Sequence, residues 1–167
     1  METIQMIETQ ATELVRIFEL QRKNQYKIGN TSIAERKAKL DKLHKAVLHY
    51  RGDIRQALHD DFGKHPSEVD LSEIYPVTSE IKHAKRSLRK WLGANRRPTP
   101  IALLGASSRI KYEPKGVVLI ISPWNFPINL TLGPLVSAIA AGNCVMIKPS
   151  EMTPHTSALM NKLISEL

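Results

Sequence analysis

Residues 114–156 read PKGVVLIISPWNFPINLTLGPLVSAIAAGNCVMIKPSEMTPHT. Within them Gly116 to Ile121 is a continuous apolar, β-branched run, the pattern of a strand covered on both faces. Ser122-Pro123-Trp124-Asn125-Phe126-Pro127 interrupts it with two prolines and an asparagine, residues that favour turns. The spacing then predicts a helix from about Leu130 to Ala141. Gly142-Asn143 closes it, because glycine takes the left-handed conformation that ends helices. CVMIK at 144–148 is a second buried strand, followed by PSEMTPHT and a helix from about His155 to Leu167. Strand, crossover helix, strand, helix builds a parallel sheet with a right-handed crossover.

Upstream the signals are helical as far as Pro98. A first helix is predicted over about Ile4 to Tyr26, with apolar positions Ile7, Leu14, Ile17 and Phe18, and Gly29-Asn30 breaks it. A second starts at Ser32, where Ser32 and Glu35 have capping-box spacing. Leu40, Leu43, Val47, Tyr50, Ile54 and Leu58 follow at three- and four-residue intervals, one apolar stripe that runs on to Gly63. A third covers about Ser67 to Trp91, with a stripe of Leu71, Ile74, Ile81, Ala84, Leu88 and Trp91. Pro76 inside it has no N–H, so it predicts a kink or a carbonyl left without its helical partner. IALLGASSRIKYE at 101–113 reads as two strands about a Gly-Ala-Ser-Ser turn. The resulting organisation is a helical segment at 1–97, a β-hairpin segment at 98–115 and a parallel α/β unit at 116–167.

A chain of 167 residues with 42% hydrophobic and 24% charged residues is composed like a soluble globular domain and can bury a core. No apolar run approaches the length of a membrane helix. The opening METIQMIETQ carries acids rather than a basic, apolar signal pattern. Cys144 is the single cysteine, so no internal disulfide forms, in keeping with a reducing, cytoplasmic setting. The net charge of +8 suits nucleic acid or an anionic cofactor. Its richest stretch, KHAKRSLRKWLGANRR at 82–97, reads as a solvated helix face. It lacks the interleaved aromatics that stack single-stranded bases, so nucleic acid is not expected as a partner.

Ligands of open parallel sheets bind outside the carboxyl ends of the strands. Here those ends carry Ser122-Pro123-Trp124-Asn125-Phe126-Pro127 and Lys148-Pro149-Ser150-Glu151. Lys148 can meet ribose oxygens or phosphate charge, and Glu151 can accept hydrogen bonds from ribose hydroxyls; both can equally be ordinary strand-end charges. The Asn125 amide can donate to a developing oxyanion, or fix its own turn. Trp124 suits packing. Cys144, mid-strand among Val145, Met146 and Ile147, suits a small core residue better than a nucleophile. The common GxGxxG fingerprint is absent.

The ordered set of PWNFP, GP…AIAAGN and IKPSE in residues 114–156 resembles the aldehyde dehydrogenase superfamily. DDFGKHPSEVDLSEIYPVTSEIKHAKRSLRKWL at 60–92 is similar to its coniferyl-aldehyde and fatty-aldehyde branch. The motifs cover the chain from about residue 31 onward. The resemblance implies an α/β fold: N-terminal helices, a β-hairpin, then the first βαβα unit of a Rossmann-like NAD(P)-binding domain, an incomplete aldehyde dehydrogenase fold. It implies NAD as cofactor, with NADP as the alternative, an aldehyde substrate and a homodimeric parent. By the same resemblance Asn125 is the oxyanion donor, Ile121, Ser122, Pro123 and Trp124 line the cofactor cleft, Lys148 and Glu151 meet the adenosine ribose, and Ser150 lies between them. In the family a cysteine thiolate attacks the aldehyde and a glutamate activates the releasing water. Those two residues and the glycine-rich cofactor turn come later in family sequences, so the 167-residue chain is expected to lack turnover. The competing reading is a free-standing nucleotide- or partner-binding module.

Overall fold

The computed structural model describes the backbone of residues 2–167 and the side chains of residues 11–167. Helix α1 runs Glu2–Gly29, α2 Ile33–His49 and α3 Arg51–Phe62. A short α4, Pro66–Val69, passes through a π-helical turn at Asp70–Ile74 into α5, Tyr75–Trp91. Strands β1, Asn95–Arg97, and β2, Ser108–Ile110, flank a 3₁₀ turn at Ile101–Leu103. β3, Val117–Ile121, α6, Asn129–Ala141, β4, Cys144–Lys148, and α7, Pro154–Ser165, complete the chain. β3 and β4 pair in parallel, from Val117 beside Cys144 to Ile121 beside Lys148. The architecture is the α/β arrangement of N-terminal helices, hairpin and βαβα unit.

The core confirms the predicted stripe of the second helix: Leu40, Leu43, Val47, Tyr50, Ile54 and Leu58 are all buried. They pack with Val77, Ile81, Ala84 and Leu88 of α5, Leu132 and Val136 of α6, and Met160 and Leu163 of α7. The predicted capping box is present as well. Glu35 N–H donates to the Ser32 hydroxyl at 3.2 Å, and Ser32 N–H donates to the Glu35 carboxylate at 2.7 Å. The Ser32 hydroxyl also donates to that carboxylate at 2.7 Å, and this bond, then the one from Ser32 N–H, holds the Glu35 carboxyl below its ordinary range.

Several expectations are corrected. The single helix predicted from Ser32 to Gly63 breaks at Tyr50, whose φ and ψ are −84° and 10°. The break keeps the Tyr50 ring buried while its hydroxyl donates to the Glu166 carboxylate at 2.6 Å. That bond pushes the phenol up to about 12. The third helix carries the effect expected of Pro76. Tyr75 N–H bonds the Asp70 carbonyl, five residues back. The Ser72 carbonyl, four residues before the proline, accepts instead from Asn129 Nδ2 at 3.1 Å. The wide turn inserts a residue into the helical phase, so Leu71 is 72% exposed while Val69 and Glu73 turn inward. Trp91, at the other end of that predicted stripe, is also exposed.

The hairpin is wider than predicted. Its first strand lies at Asn95–Arg97 and pairs with Ser108–Ile110. Residues 101–103 turn, since Pro98 and Pro100 cannot donate to a strand ladder. In α1 the predicted Ile7 lies outside the described side chains; Leu14 and Phe18 are exposed and Ile17 is half-buried. β3 is fully covered on one face, and α1 covers the other only in part. Ile120 joins the core, while Leu119 and Ile121, which alternate to the other face, are 58% and 69% exposed. Among the described residues no further strand flanks this two-stranded sheet.

Buried polar groups tie the two halves together. The Arg36 guanidinium is 5% exposed and donates to the carbonyls of Gly29 at 2.7 Å, Thr31 at 3.1 Å and Ala140 at 3.0 Å. It thus serves the carbonyl ends of α1 and α6, where a cation is favoured. Gly142, at φ 84°, makes room for it: a Cβ there would lie 2.5 Å from Arg36 Nη2. Asp61 of α3 accepts from the N–H groups of His155 and Thr156 at 3.1 and 2.8 Å, capping α7.

Candidate functional site

The parallel register sets Ile121 directly beside Lys148, and Ser122 N–H donates to the Lys148 carbonyl at 3.0 Å. All eight sequence-predicted residues therefore sit on two adjoining chain segments at one sheet edge. Six of them present exposed side chains: Ile121, Pro123, Trp124, Asn125, Lys148 and Glu151. The Lys148 ammonium and Glu151 carboxylate form a solvent-exposed ion pair, which holds the Glu151 carboxyl below its ordinary range. Such an exposed pair is weakly held and open to exchange for other hydrogen-bonding partners.

The two serines face inward. The Ser122 and Thr131 hydroxyls share a 2.6 Å hydrogen bond. Ser150 accepts from Met152 N–H at its hydroxyl, at 3.2 Å, and from the Ser157 hydroxyl at its carbonyl, at 2.9 Å. Both are buried, and both shape the turns that follow the strands. Trp124 packs against Phe62, the two rings tilted by 43° with centroids 6.1 Å apart. Cys144, expected mid-strand, instead opens β4 at the end of the sheet opposite Ile121 and Lys148; it is buried, and burial pushes its thiol up, away from thiolate character.

Asn125 occupies the turn between β3 and α6. Its Oδ1 accepts from Phe126 N–H at 3.2 Å, so the amide NH₂ is the outward-facing end. Two side chains from elsewhere grip this turn, Lys64 and Glu73, and neither was singled out from the sequence. Lys64 Nζ donates to the Asn125 carbonyl at 2.9 Å and lies 4.3 Å from the Phe126 ring centroid. The same ammonium bonds Glu73 Oε1 at 2.8 Å, and Glu73 Oε2 accepts from Asn129 N–H at 2.9 Å. A buried carboxylate at the first turn of α6 is favoured by the helix dipole. The one signal in the sequence was Glu73 itself, an acid three residues before a helix-interior proline. A cavity of about 460 Å³ lined by Leu88, Trp91, Tyr112 and Ala140 shares no residue with this edge.

The aldehyde dehydrogenase family model matches residues 2–167. The chain belongs to the aldehyde dehydrogenase family. The match includes residues 2–30, which the motifs alone left out. A 4,4'-diaponeurosporen-aldehyde dehydrogenase of Staphylococcus aureus is 44% identical over 134 residues, covering 80% of this chain and 29% of that protein. A probable coniferyl aldehyde dehydrogenase of Caulobacter vibrioides is 38% identical over 142 residues, covering 83% of this chain and 29% of its own length. The substrate-bound structure of Staphylococcus aureus AldH superposes with a TM-score of 0.88 at 39% identity, covering 92% of this chain and 33% of that one. The chain thus spans about 29% of the length of the two curated relatives. Among the described residues no helix is long and apolar enough to cross a membrane, and no group of three or more His, Cys, Asp or Glu side chains is placed to hold a metal ion.

Proposed function

We propose that these residues form the cofactor edge and one oxyanion donor of a cytoplasmic, homodimeric NAD-dependent enzyme that oxidises an aldehyde to its carboxylic acid. The observation that carries the proposal is the register of β3 and β4, which sets Asn125 and the Lys148–Glu151 pair on adjoining segments. The residues fit a dinucleotide. Exposed Ile121, Pro123 and Trp124 offer an apolar wall. Lys148 and Glu151, separated from each other, would meet the ribose hydroxyls. A carboxylate at Glu151 repels a 2′-phosphate, which favours NAD over NADP. When bound, the nicotinamide supplies the hydride acceptor.

Asn125 would act on the aldehyde oxygen. When a cysteine sulfur bonds the carbonyl carbon, the π pair moves to oxygen, and the outward Nδ2 donates to the resulting thiohemiacetal oxyanion. The substrate class is an aromatic or aliphatic aldehyde, coniferyl aldehyde included, in line with the names of the relatives. The cysteine and the base glutamate of this chemistry have no counterpart at the edge, so residues 1–167 alone are expected to form no NADH.

A chimera tests the reading: residues 32–167 replace the matching segment of the Staphylococcus aureus relative. Aldehyde-dependent NADH formation is expected, and Asn125→Ala should lower kcat on the order of 10²-fold, the usual effect of removing one oxyanion donor. Glu151→Ala should raise KM for NAD with little change in kcat. A folded chimera in which Asn125→Ala keeps full kcat would sink the assignment.

A further inference from the structure

We infer that Lys64 and Glu73 are positioning residues for the Asn125 amide, a buried ion pair through which the helical segment sets the oxyanion donor. The inference rests on the reading of Asn125 given above. The Lys64 and Glu73 side chains are 11% and 0% exposed, so neither charge is solvated as a surface ion would be. A buried pair costs desolvation that apolar packing would avoid, so stability is a poor reason for placing one here. What distinguishes this pair is where its remaining hydrogen bonds go. Lys64 holds the Asn125 carbonyl and Glu73 holds the Asn129 N–H, the two ends of a single five-residue turn.

One peptide plane transmits the effect. The Asn125 carbonyl and the Phe126 N–H belong to the same rigid peptide unit. Lys64 fixes its oxygen at 2.9 Å, and its N–H fixes Asn125 Oδ1 at 3.2 Å. With the oxygen of the amide committed inward, Nδ2 is aimed away from the turn. Without Lys64 the plane can rotate, carrying the amide with it. The ammonium over the Phe126 ring and the Asn129 Nδ2 bond to the Ser72 carbonyl left by Pro76 resist the same rotation.

The test compares Lys64→Met, Lys64→Arg, the double variant Lys64→Met/Glu73→Met and Asn125→Ala. It is run in the complete gene product carrying these residues and, in parallel, in the chimera. Lys64→Met should lower kcat about 10-fold or more, as misplacing a reacting group does, with KM for NAD within about twofold because Lys148 and Glu151 are untouched. The double variant removes both buried charges, so it should keep its melting midpoint yet lose kcat alike; Lys64→Arg should restore most of it. On the Asn125→Ala background, Lys64→Met should cost nothing further, since both act through one amide. A second full loss there, or an unchanged kcat in the folded double variant, overturns the positioning role while leaving Asn125 assigned. An unchanged kcat in Asn125→Ala overturns both.

Discussion

His44 stands half-buried between α2 and α5 with its Nε2 buried and without a partner. Burial, then Lys82 and Lys85, lower its readiness to protonate, and Asp41 opposes them more weakly. The unfolded chain takes up the proton near 6.5 and the folded chain only at lower pH. Stability is therefore complete above 6.5 and declines as pH falls through that value. The melting midpoint should drop between pH 7.5 and 5.5, and His44→Leu should shrink the drop; an equal drop in the variant refutes the assignment. The partners of such groups explain what single residues hide. Lys64 and Glu73 do not stand out in the sequence because the groups that employ them, Asn125 and Asn129, lie 61 and 56 positions away. The placing of Asn125, Lys148 and Glu151 after adjoining strands was legible because local periodicity reveals the strand ends.

Among the elements, α2 shows how far local rules reach. Its cap and its stripe depend on neighbours three and four residues away, and both were correctly read. Ser32→Ala removes the acceptor of the Glu35 N–H and should cost about 0.5–2 kcal/mol in urea unfolding, with the slope unchanged. No loss would mean that the box adds nothing to the packing of α2. Elements failed where a distant or non-helical feature intervened. The π turn displaced Leu71 by one step in phase, Glu166 accompanied a break at Tyr50, and two prolines moved the hairpin's first strand upstream. The βαβα unit was legible because each strand is an uninterrupted apolar run bounded by glycine and proline.

For the whole molecule, the open face of β3 sets the behaviour. Leu119 and Ile121 lie on a face that α1 only partly shields, and among the described residues the two strands leave unpaired edges on both sides. The 167-residue chain should associate at tens of micromolar, as measured by size-exclusion chromatography with light scattering. A sharply melting, monodisperse monomer would contradict this. The sequence predicted a strand covered on both faces, and that coverage is what residues 2–167 do not supply.

Arg36 has a consequence in time as well as in space. Its acceptors at Gly29 and Thr31 are synthesised before it, but Ala140 follows 104 residues later. At about 5–20 residues per second, a ribosome needs roughly 5–20 s to deliver that last carbonyl. Until then the guanidinium cannot be fully satisfied in a dry site, so the junction of α1 and α2 stays hydrated and unlatched. Ribosome-bound chains stalled before Ala140 should therefore exchange the amides at the α1–α2 junction fast, and chains carrying α6 should protect them.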